Sequence, residues 1–366
     1  MTDPSPPPKH GPLRIATWNV EWFDNLFDDQ ARLIDDGGWS GRRDVTRAEQ
    51  TRAIGEVMRA LDADAIMVIE APDTSRRRDG LRALETFADR FGLRARSAVM
   101  GFATETQQEI ALLFDAGRLS ARHDPGGTTP GSASRFDAEM RIDIDMDGHP
   151  DRVTWSKPPL ELAVTTQSGT ALRMIGVHAK SKAPHGARTQ AEITRLAIEN
   201  RRTQLAQSIW LRARVDEHLA AGDSLIVLGD LNDGPGLDEY EKLFRRSSVE
   251  IVLGNGNGAG NGAGNGNGEG ESLAAARQLF DPHADMQFHL HAPRPPTTAR
   301  FRKPRGRGHI TALLDFIMVS PDLRARAPVW RIWHPFDDRA IRADARLARA
   351  LLTASDHFPV TLDIAL

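Results

Sequence analysis

Residues 225–232 read LIVLGDLN, an apolar run that ends in a glycine and is followed by a carboxylate and an amide. A run of this length, bounded by turn-forming residues, predicts a buried β-strand. Asp230 and Asn232 are two residues apart, so extended backbone places both side chains on one face. An Asp there can orient or deprotonate a water, and an Asn can fix a water or a substrate oxygen. The segment alone fits a strand followed by an Asx-turn equally well.

The same pattern of a polar residue at or near the end of an apolar run recurs along the chain. Asn19 and Glu21 follow residues 13–18, Glu70 follows 65–69, His178 follows 172–177, Asp315 lies within 313–319, and Asp356 and His357 precede 358–364. Strand ends are positions where a rigid scaffold presents reactive groups. Acid-rich strand ends in a chain without cysteine indicate a hard metal ion and phosphate chemistry.

The composition limits the possible functions. A chain of 366 residues forms one large α/β domain or two smaller ones, and the 40% hydrophobic content supports a substantial core. The formal net charge of -3 argues against nucleic-acid binding through overall positive charge, so any such contact is local. The absence of cysteine excludes disulfides and thiolate zinc sites.

The chain organisation predicts one domain with two flexible parts. Residues 1–12 form a proline-rich tail without the basic start and apolar core of a secretory signal, and the domain spans 13–366. Residues 254–270 are nearly all Gly, Asn and Ala, which predicts a flexible insertion. No apolar stretch reaches membrane-spanning length, so we expect a soluble cytoplasmic protein.

Helical patterns alternate with the strand-like runs. Thr46 and Glu49 fit a capping box ahead of an apolar stripe, and a second stripe stops at Gly92. The segment 187–219 is long and rich in charged residues, and it has apolar residues at four-residue spacing. This pattern indicates a third helix. Residues 121–151 predict a long loop or an edge hairpin. The alternation predicts an α/β fold.

Each motif also has a purely structural interpretation. Glu70 fits the first solvated residue of a strand as well as a magnesium ligand, and the SDH at 355–357 fits a helix-to-strand turn as well as a metal and phosphate site. His178 lies near Lys180 and Lys182, which favours an anionic substrate if the histidine is functional.

Taken together, the motifs resemble the endonuclease/exonuclease/phosphatase superfamily. The matching segments are TWNVEWF, IMVIE, WSKPPLEL, GVHAKSK, LIVLGDLND, LLDFIMVS and SDHFPV, in the order of the family and spanning residues 13–366. The resemblance implies a four-layer sandwich of two packed mixed β-sheets with helices on the outer faces. It also implies a metal-dependent hydrolase.

The resemblance also implies a role for each polar residue. Glu70 corresponds to the principal ligand of Mg²⁺, with Mn²⁺ as a possible substitute, and Glu21 and Asp356 to neighbouring ligands. Asn19 and Lys180 correspond to residues that bind the substrate phosphate, Asp230 to the residue that positions or deprotonates the attacking water, and Asn232 to its orienting partner. Asp315 and His357 correspond to a carboxylate–histidine pair that faces the phosphate. His178 corresponds to the acid for the leaving oxygen, and Glu109 to the carboxylate that pairs with His178.

The implied reaction is single-step hydrolysis of a phosphoester by in-line attack of water. A stretch without acids contains Arg294, Arg300, Arg302, Lys303, Arg305 and Arg307. A basic loop beside the site favours a nucleic-acid substrate, although an inositol-phosphate headgroup also suits it. A phosphatase or lipid phosphodiesterase is the alternative, and an inactive binding module is the third possibility. No obligate protein partner is indicated.

Overall fold

The computed structural model describes residues 11–104, 106, 108–127, 131–144, 148–234, 242, 247–255, 277–289, 295–303 and 308–366. The strands in these residues are β1 (Leu13–Asn19), β2 (Ala65–Ala71), β3 (Ser97–Met100), β4 (Glu109–Phe114), β5 (Leu119–His123), β6 (Met140–Ile142), β7 (Asp151–Val153), β8 (Leu160–Thr166), β9 (Ala171–His178), β10 (Leu225–Asp230), β11 (Ala299–Arg302), β12 (His309–Ala312), β13 (Asp315–Val319), β14 (Val329–Ile332) and β15 (Val360–Ile364).

The α-helices in the described residues are α1 (Arg47–Leu61), α2 (Gly80–Phe91), α3 (Gln190–Ala221), α4 (Ser248–Leu253), α5 (Pro282–His289), α6 (Pro321–Arg324), α7 (Arg339–Ala343) and α8 (Ala345–Ala354). The predicted start and stop signals act as expected. Thr46 and Glu49 form the capping box of α1, and Gly92 ends α2 with φ 62°. No helix in these ranges combines the length and apolar character that crossing a membrane requires.

Two mixed sheets form the centre of the fold. The first has the order β14-β15-β1-β2-β4-β3 and the second has the order β13-β10-β9-β8-β5. Each contains one parallel pair, β1 with β2 and β10 with β9, and the remaining pairs are antiparallel. The parallel pairs bring the carboxyl ends of four strands to one edge of the sandwich.

The sheets pack face to face through apolar side chains that point inward from both. Ile15 and Met67 of the first sheet belong to the same buried cluster as Met174 and Leu228 of the second. A Cβ on Gly176 would lie 2.5 Å from Sδ of Met67, so the glycine allows close approach of the sheets.

The helices cover the outer faces of the sandwich. The outer face of the first sheet packs against α1, α2 and α8, with Trp18 and Ile54 fully buried. The outer face of the second sheet packs against α3 and α4 around Trp210. The structure therefore confirms the expected four-layer α/β sandwich.

Two small features complete the description. The expected edge hairpin within residues 121–151 is present as the pair β6 and β7, although it extends to Val153. Residues 1–10, in the predicted tail, and 256–270, in the predicted insertion, lie outside the described residues, as do Arg294, Arg305 and Arg307.

Candidate active site

Three candidate residues form a row across the second sheet. In the strand register, Asp230 at the end of β10 lies opposite His178 of β9 on one side and Asp315 of β13 on the other. Gly229 has φ 136°, and a Cβ there would lie 2.1 Å from the carbonyl oxygen of Val177. The glycine in LIVLGDLN thus lets β10 approach β9 closely enough to place this row.

Glu70 reaches the same edge from the first sheet because its strand is bulged. The register between β2 and β4 shifts between Ile69 and Ala71, and Glu70 has a left-handed backbone with φ 63°. A bulge re-aims the side chain of the extra residue. A left-handed conformation costs a non-glycine residue about 1–2 kcal/mol, so surrounding contacts hold it in place.

Asp230 lies at the centre of the site. Its Oδ2 accepts a hydrogen bond from Nδ2 of Asn19 at 3.0 Å, and its Oδ1 accepts one from the backbone N–H of Asn232 at 2.7 Å. The Oδ2 atom also lies 3.7 Å from Nε2 of His178 and 3.9 Å from Nε2 of His357. Burial raises the pKa of Asp230 to about 7, against the opposing charge of His357.

His357 and Asp315 form a buried hydrogen-bonded pair. Nδ1 of His357 lies 2.7 Å from Oδ2 of Asp315, which fixes the ring and places Nε2 toward Asp230. Burial lowers the pKa of His357, but the carboxylates of Asp315 and Asp230 outweigh it and raise the pKa well above its usual value.

Asp230, Asp315 and His357 have potential metal-ligand atoms that all lie within 4.8 Å of one another. The short bond between His357 and Asp315 already uses one ring nitrogen and one carboxylate oxygen. We therefore interpret Asp230, Asp315 and His357 as a group that holds and transfers protons rather than as the primary metal ligands.

His178 is held by a lysine that sequence reasoning missed. Nζ of Lys157 lies 3.2 Å from Nδ1 of His178 and donates to Oε1 of Gln108 at 2.5 Å, while Gln108 donates to Glu70 at 2.6 Å. An ammonium group can only donate, so Nδ1 accepts and the proton of His178 sits on Nε2. The segment WSKPPLEL was recognised as a family strand, but nothing in it marked Lys157 as a neighbour of His178.

A second set of carboxylates fits a divalent cation. Burial and then the charge of Asp356 raise the pKa of Glu21 to about 7, and Glu70 adds to this effect. Burial also raises the pKa of Glu70, again with a contribution from Asp356. Oδ1 of Asn19, which is buried beside them, has no hydrogen-bond partner. Mutually repelling carboxylates and an unsatisfied amide oxygen are the hard oxygen donors that Mg²⁺ prefers.

Glu21 already has two partners in this structure. Its Oε1 accepts from the indole N–H of Trp22 at 3.0 Å, and its Oε2 is bound by Arg42. A role as metal ligand requires the carboxylate to exchange one of these partners. Trp22 is 41% exposed, whereas Trp18 and Phe23 are fully buried, because the left-handed backbone of Trp22 turns its ring outward.

Two predicted site residues lie differently from the expectation. Glu109 does not contact His178; its Oε1 accepts from the backbone N–H and hydroxyl of Thr104 at 3.0 and 3.2 Å. Lys157 occupies the Nδ1 side of His178, where the resemblance placed the carboxylate. Lys180 is exposed, and its backbone is anchored by Gln207 at 2.9 Å.

Comparisons with known proteins identify the family of the chain. The model of the Endonuclease/Exonuclease/phosphatase family matches residues 16–357. The sequence has no significant match among curated proteins.

Solved structures similar to this chain include three with low sequence identity. Truncated TDP2 from Caenorhabditis elegans is 14% identical with a TM-score of 0.47, covering 96% of this chain and 98% of that one. A mannosyl-6-phosphatase from Bacteroides thetaiotaomicron is 14% identical with a TM-score of 0.47, covering 97% and 100%. The 3′ phosphatase NExo from Neisseria, bound to a product DNA hairpin, is 16% identical with a TM-score of 0.45, covering 97% and 100%.

The family model thus spans nearly the whole chain and includes every candidate residue described above. The chain therefore belongs to the endonuclease/exonuclease/phosphatase family of metal-dependent phosphoester hydrolases.

Proposed function

We propose that this protein is a Mg²⁺-dependent nuclease that cleaves phosphodiester bonds of DNA or RNA by in-line attack of water. The observation that carries the proposal is the position of Asp230, whose Oδ2 lies within 4 Å of Nε2 of both His178 and His357. A carboxylate between two imidazoles can accept the proton of a water while both rings face the oxygens of a phosphate.

Glu70, with Asp356, Glu21 and Oδ1 of Asn19, would hold the metal ion. When bound, the ion supplies Lewis-acid neutralisation of the phosphoryl oxygens, which contributes several kcal/mol of transition-state stabilisation. The opposite charge also relieves the repulsion among these carboxylates.

Asp230 acts as the base for the attacking water. Asn19 and Asn232 hold its two oxygens, so the carboxylate cannot rotate away from the reacting centre. The pKa of about 7 suits proton transfer near neutral pH, because a base is most effective when its pKa lies near the working pH.

The two histidines contribute donors. Lys157 keeps the proton of His178 on Nε2, so this ring donates a hydrogen bond to a phosphoryl oxygen. Asp315 accepts from Nδ1 of His357, which leaves Nε2 as the atom that faces the phosphate and can give a proton to the leaving oxygen.

Exposed arginines near the site favour a nucleic-acid substrate. Arg302 is exposed on β11 and lines the same cavity as Glu21 and Asp356, and Arg76 and Arg77 are exposed in the loop that follows β2. Positive side chains near a phosphodiester centre suit a polyanionic backbone.

The test is an activity panel over plasmid DNA, single-stranded DNA, RNA and phosphoinositide. We expect hydrolysis of nucleic acid in Mg²⁺, loss of activity in EDTA, and loss in Asp230→Asn with unchanged thermal stability. Hydrolysis of phosphoinositide alone would favour the alternative, a phosphatase or lipid phosphodiesterase that uses the same centre. Mn²⁺ is tested as the substitute cation.

A further inference from the structure

Beside the candidate metal ligands is a small cavity with a positive wall. It has a volume of about 270 Å³ and is lined by Arg42, Arg43, Arg300, Arg302 and His309 together with the carboxylates of Glu21 and Asp356. This space is large enough for a phosphate group. Glu21 and Asp356 belong to both this cavity and the reacting centre.

The arginines in the cavity wall have weak partners. Arg43 and Arg302 share the exposed carboxylate of Asp44 at 3.6 and 3.8 Å, a type of surface pair that contributes little. Arg300 has no carboxylate partner in the described part of the chain, and its guanidinium lies 5.1 Å from the ring centroid of Phe336. The wall therefore has guanidinium groups that are free to bind an anion.

Arg42 adds a donor at the boundary with the reacting centre. It binds Glu21 and donates to the carbonyl of Leu352 at 3.2 Å, while its buried Nε has no hydrogen-bond partner. If the metal takes the carboxylate of Glu21, the guanidinium loses its counterion and becomes available to a second anion.

Backbone hydrogen bonds join the cavity wall to the segment that carries Asp356 and His357. Arg300 and Arg302 alternate on β11, so both lie on one face, and His309 pairs with Arg302 across the hairpin. The backbone N–H of Arg300 donates to the carbonyl of Asp356 at 2.8 Å, and Ala299 bridges to His357. These bonds fix the distance between the arginines and the reacting centre.

We propose that this cavity binds a second phosphate group of the substrate, next to the phosphoester that is hydrolysed. Guanidinium groups bind phosphate oxygens in bidentate fashion, and several of them line this cavity beside the proposed metal ligands. This inference rests on the proposed function for the identity of the substrate, but the chemistry is the same for a phosphorylated nucleotide end and for a bisphosphate headgroup.

The first experiment compares DNA dinucleotides that carry a 5′-phosphate, a 3′-phosphate or neither. We expect kcat/KM for one phosphorylated form to exceed that of the unphosphorylated form by about 10- to 100-fold, the effect of a hydrogen bond to a charged group. Arg302→Gln should bring this ratio down about tenfold. Arg326→Gln, the same change in charge at an exposed residue outside the cavity lining, should keep the wild-type ratio. Equal rates for the three dinucleotides would overturn the inference while the nuclease function stands.

A binding measurement separates the two hypotheses if no dinucleotide is cleaved. Calorimetry with Asp230→Asn in Mg²⁺ compares a nucleoside 3′,5′-bisphosphate with the 5′-monophosphate, and an inositol bisphosphate with the monophosphate. If either bisphosphate binds more tightly than its monophosphate and Arg302→Gln removes the difference, the cavity binds a second phosphate even when the nuclease function fails. The bisphosphate that shows the difference, nucleoside or inositol, identifies the class of substrate. Equal binding of mono- and bisphosphates overturns it.

Discussion

Nδ1 of His357 donates a hydrogen bond to Oδ2 of Asp315 over 2.7 Å, and both side chains are buried. The two residues are 42 positions apart in sequence and reach each other from different sheets. The bond therefore fixes the imidazole only when the two sheets are packed together.

Asp315→Asn tests whether this bond keeps His357 protonated. The amide carries no charge to stabilise the imidazolium, and its NH₂ group can face Nδ1 only when that nitrogen has lost its proton. We expect kcat to fall by about 10²- to 10⁴-fold, with little change in Tm. Steady-state kinetics on the best nucleic-acid substrate measure the effect, and a variant with near wild-type kcat would exclude this role.

Lys157→Met tests the lysine that faces His178. Without the ammonium donor, Nδ1 can carry the proton, and Nε2 then no longer donates toward the phosphate. We expect a fall in kcat of about 10²-fold. Lys157→Arg keeps a donor and should retain part of the activity. If Lys157→Arg loses as much activity as Lys157→Met, a donor with a positive charge at this position is not sufficient, and control of the tautomer does not explain the loss.

Glu70→Gly should separate activity from stability. The change removes the main proposed metal ligand and also relieves a left-handed backbone at φ 63°, so we expect activity to be lost while the free energy of unfolding rises by about 1 kcal/mol without metal. Urea unfolding in EDTA measures the gain. Glu70→Ala is the control, because it removes the same carboxylate but keeps a Cβ at this position.

Glu109→Gln tests the pairing that the resemblance implied. The carboxylate accepts two hydrogen bonds from Thr104, and a glutamine oxygen can accept both. We expect the variant to keep most of the wild-type kcat. A loss as large as that of Asp230→Asn would instead give Glu109 a direct part in catalysis.

Glu161 provides a pH dependence that lies away from the reacting centre. Oε1 of this buried carboxylate lies 3.1 Å from the guanidinium of buried Arg214, and burial raises its pKa from 4.5 to about 7. Between these values the folded state binds more protons than the unfolded state. The stabilisation is complete below pH 4.5 and is lost as the pH rises through 7.

Unfolding of wild type and Glu161→Gln from pH 5 to pH 8 measures this contribution. We expect the wild-type free energy of unfolding to fall more steeply with pH, by at most about 1.4 kcal/mol per pH unit. If the free energy of unfolding has the same pH dependence in wild type and in Glu161→Gln, titratable groups other than Glu161 cause that dependence. Arg214→Met should destabilise the protein by about 3–5 kcal/mol at pH 8, where the change leaves Glu161 buried as an unpaired charge.

Sequence patterns predicted the strands that carry the site residues and the three longest helices of the described residues, because each depends on local spacing. LIVLGDLN contains β10, AIMVIE forms most of β2, and the capping box at Thr46 starts α1. The approach of Asp230 to both histidines also followed from strand ends that meet at one edge.

The contacts that sequence reasoning missed depend on the third dimension. Lys157 lies in the loop before β8, and it reaches His178 because β8 pairs with β9, the strand that ends at His178. The exposure of Trp22 depends on one left-handed residue, and the binding of Arg42 to Glu21 joins residues 21 positions apart across a segment whose helical part is a short 3₁₀ helix, Phe23–Leu26. No periodicity marks such contacts.

The pairing of β1 with β15 affects how the enzyme is made in the cell. Five residues of β1 pair with β15, and the segment just before β15 carries Asp356 and His357. During synthesis the ribosome therefore releases a chain whose first sheet lacks a central strand until β15 has emerged. The site proposed above therefore stays incomplete until the segment that contains Asp356, His357 and β15 has been synthesised and has paired with β1.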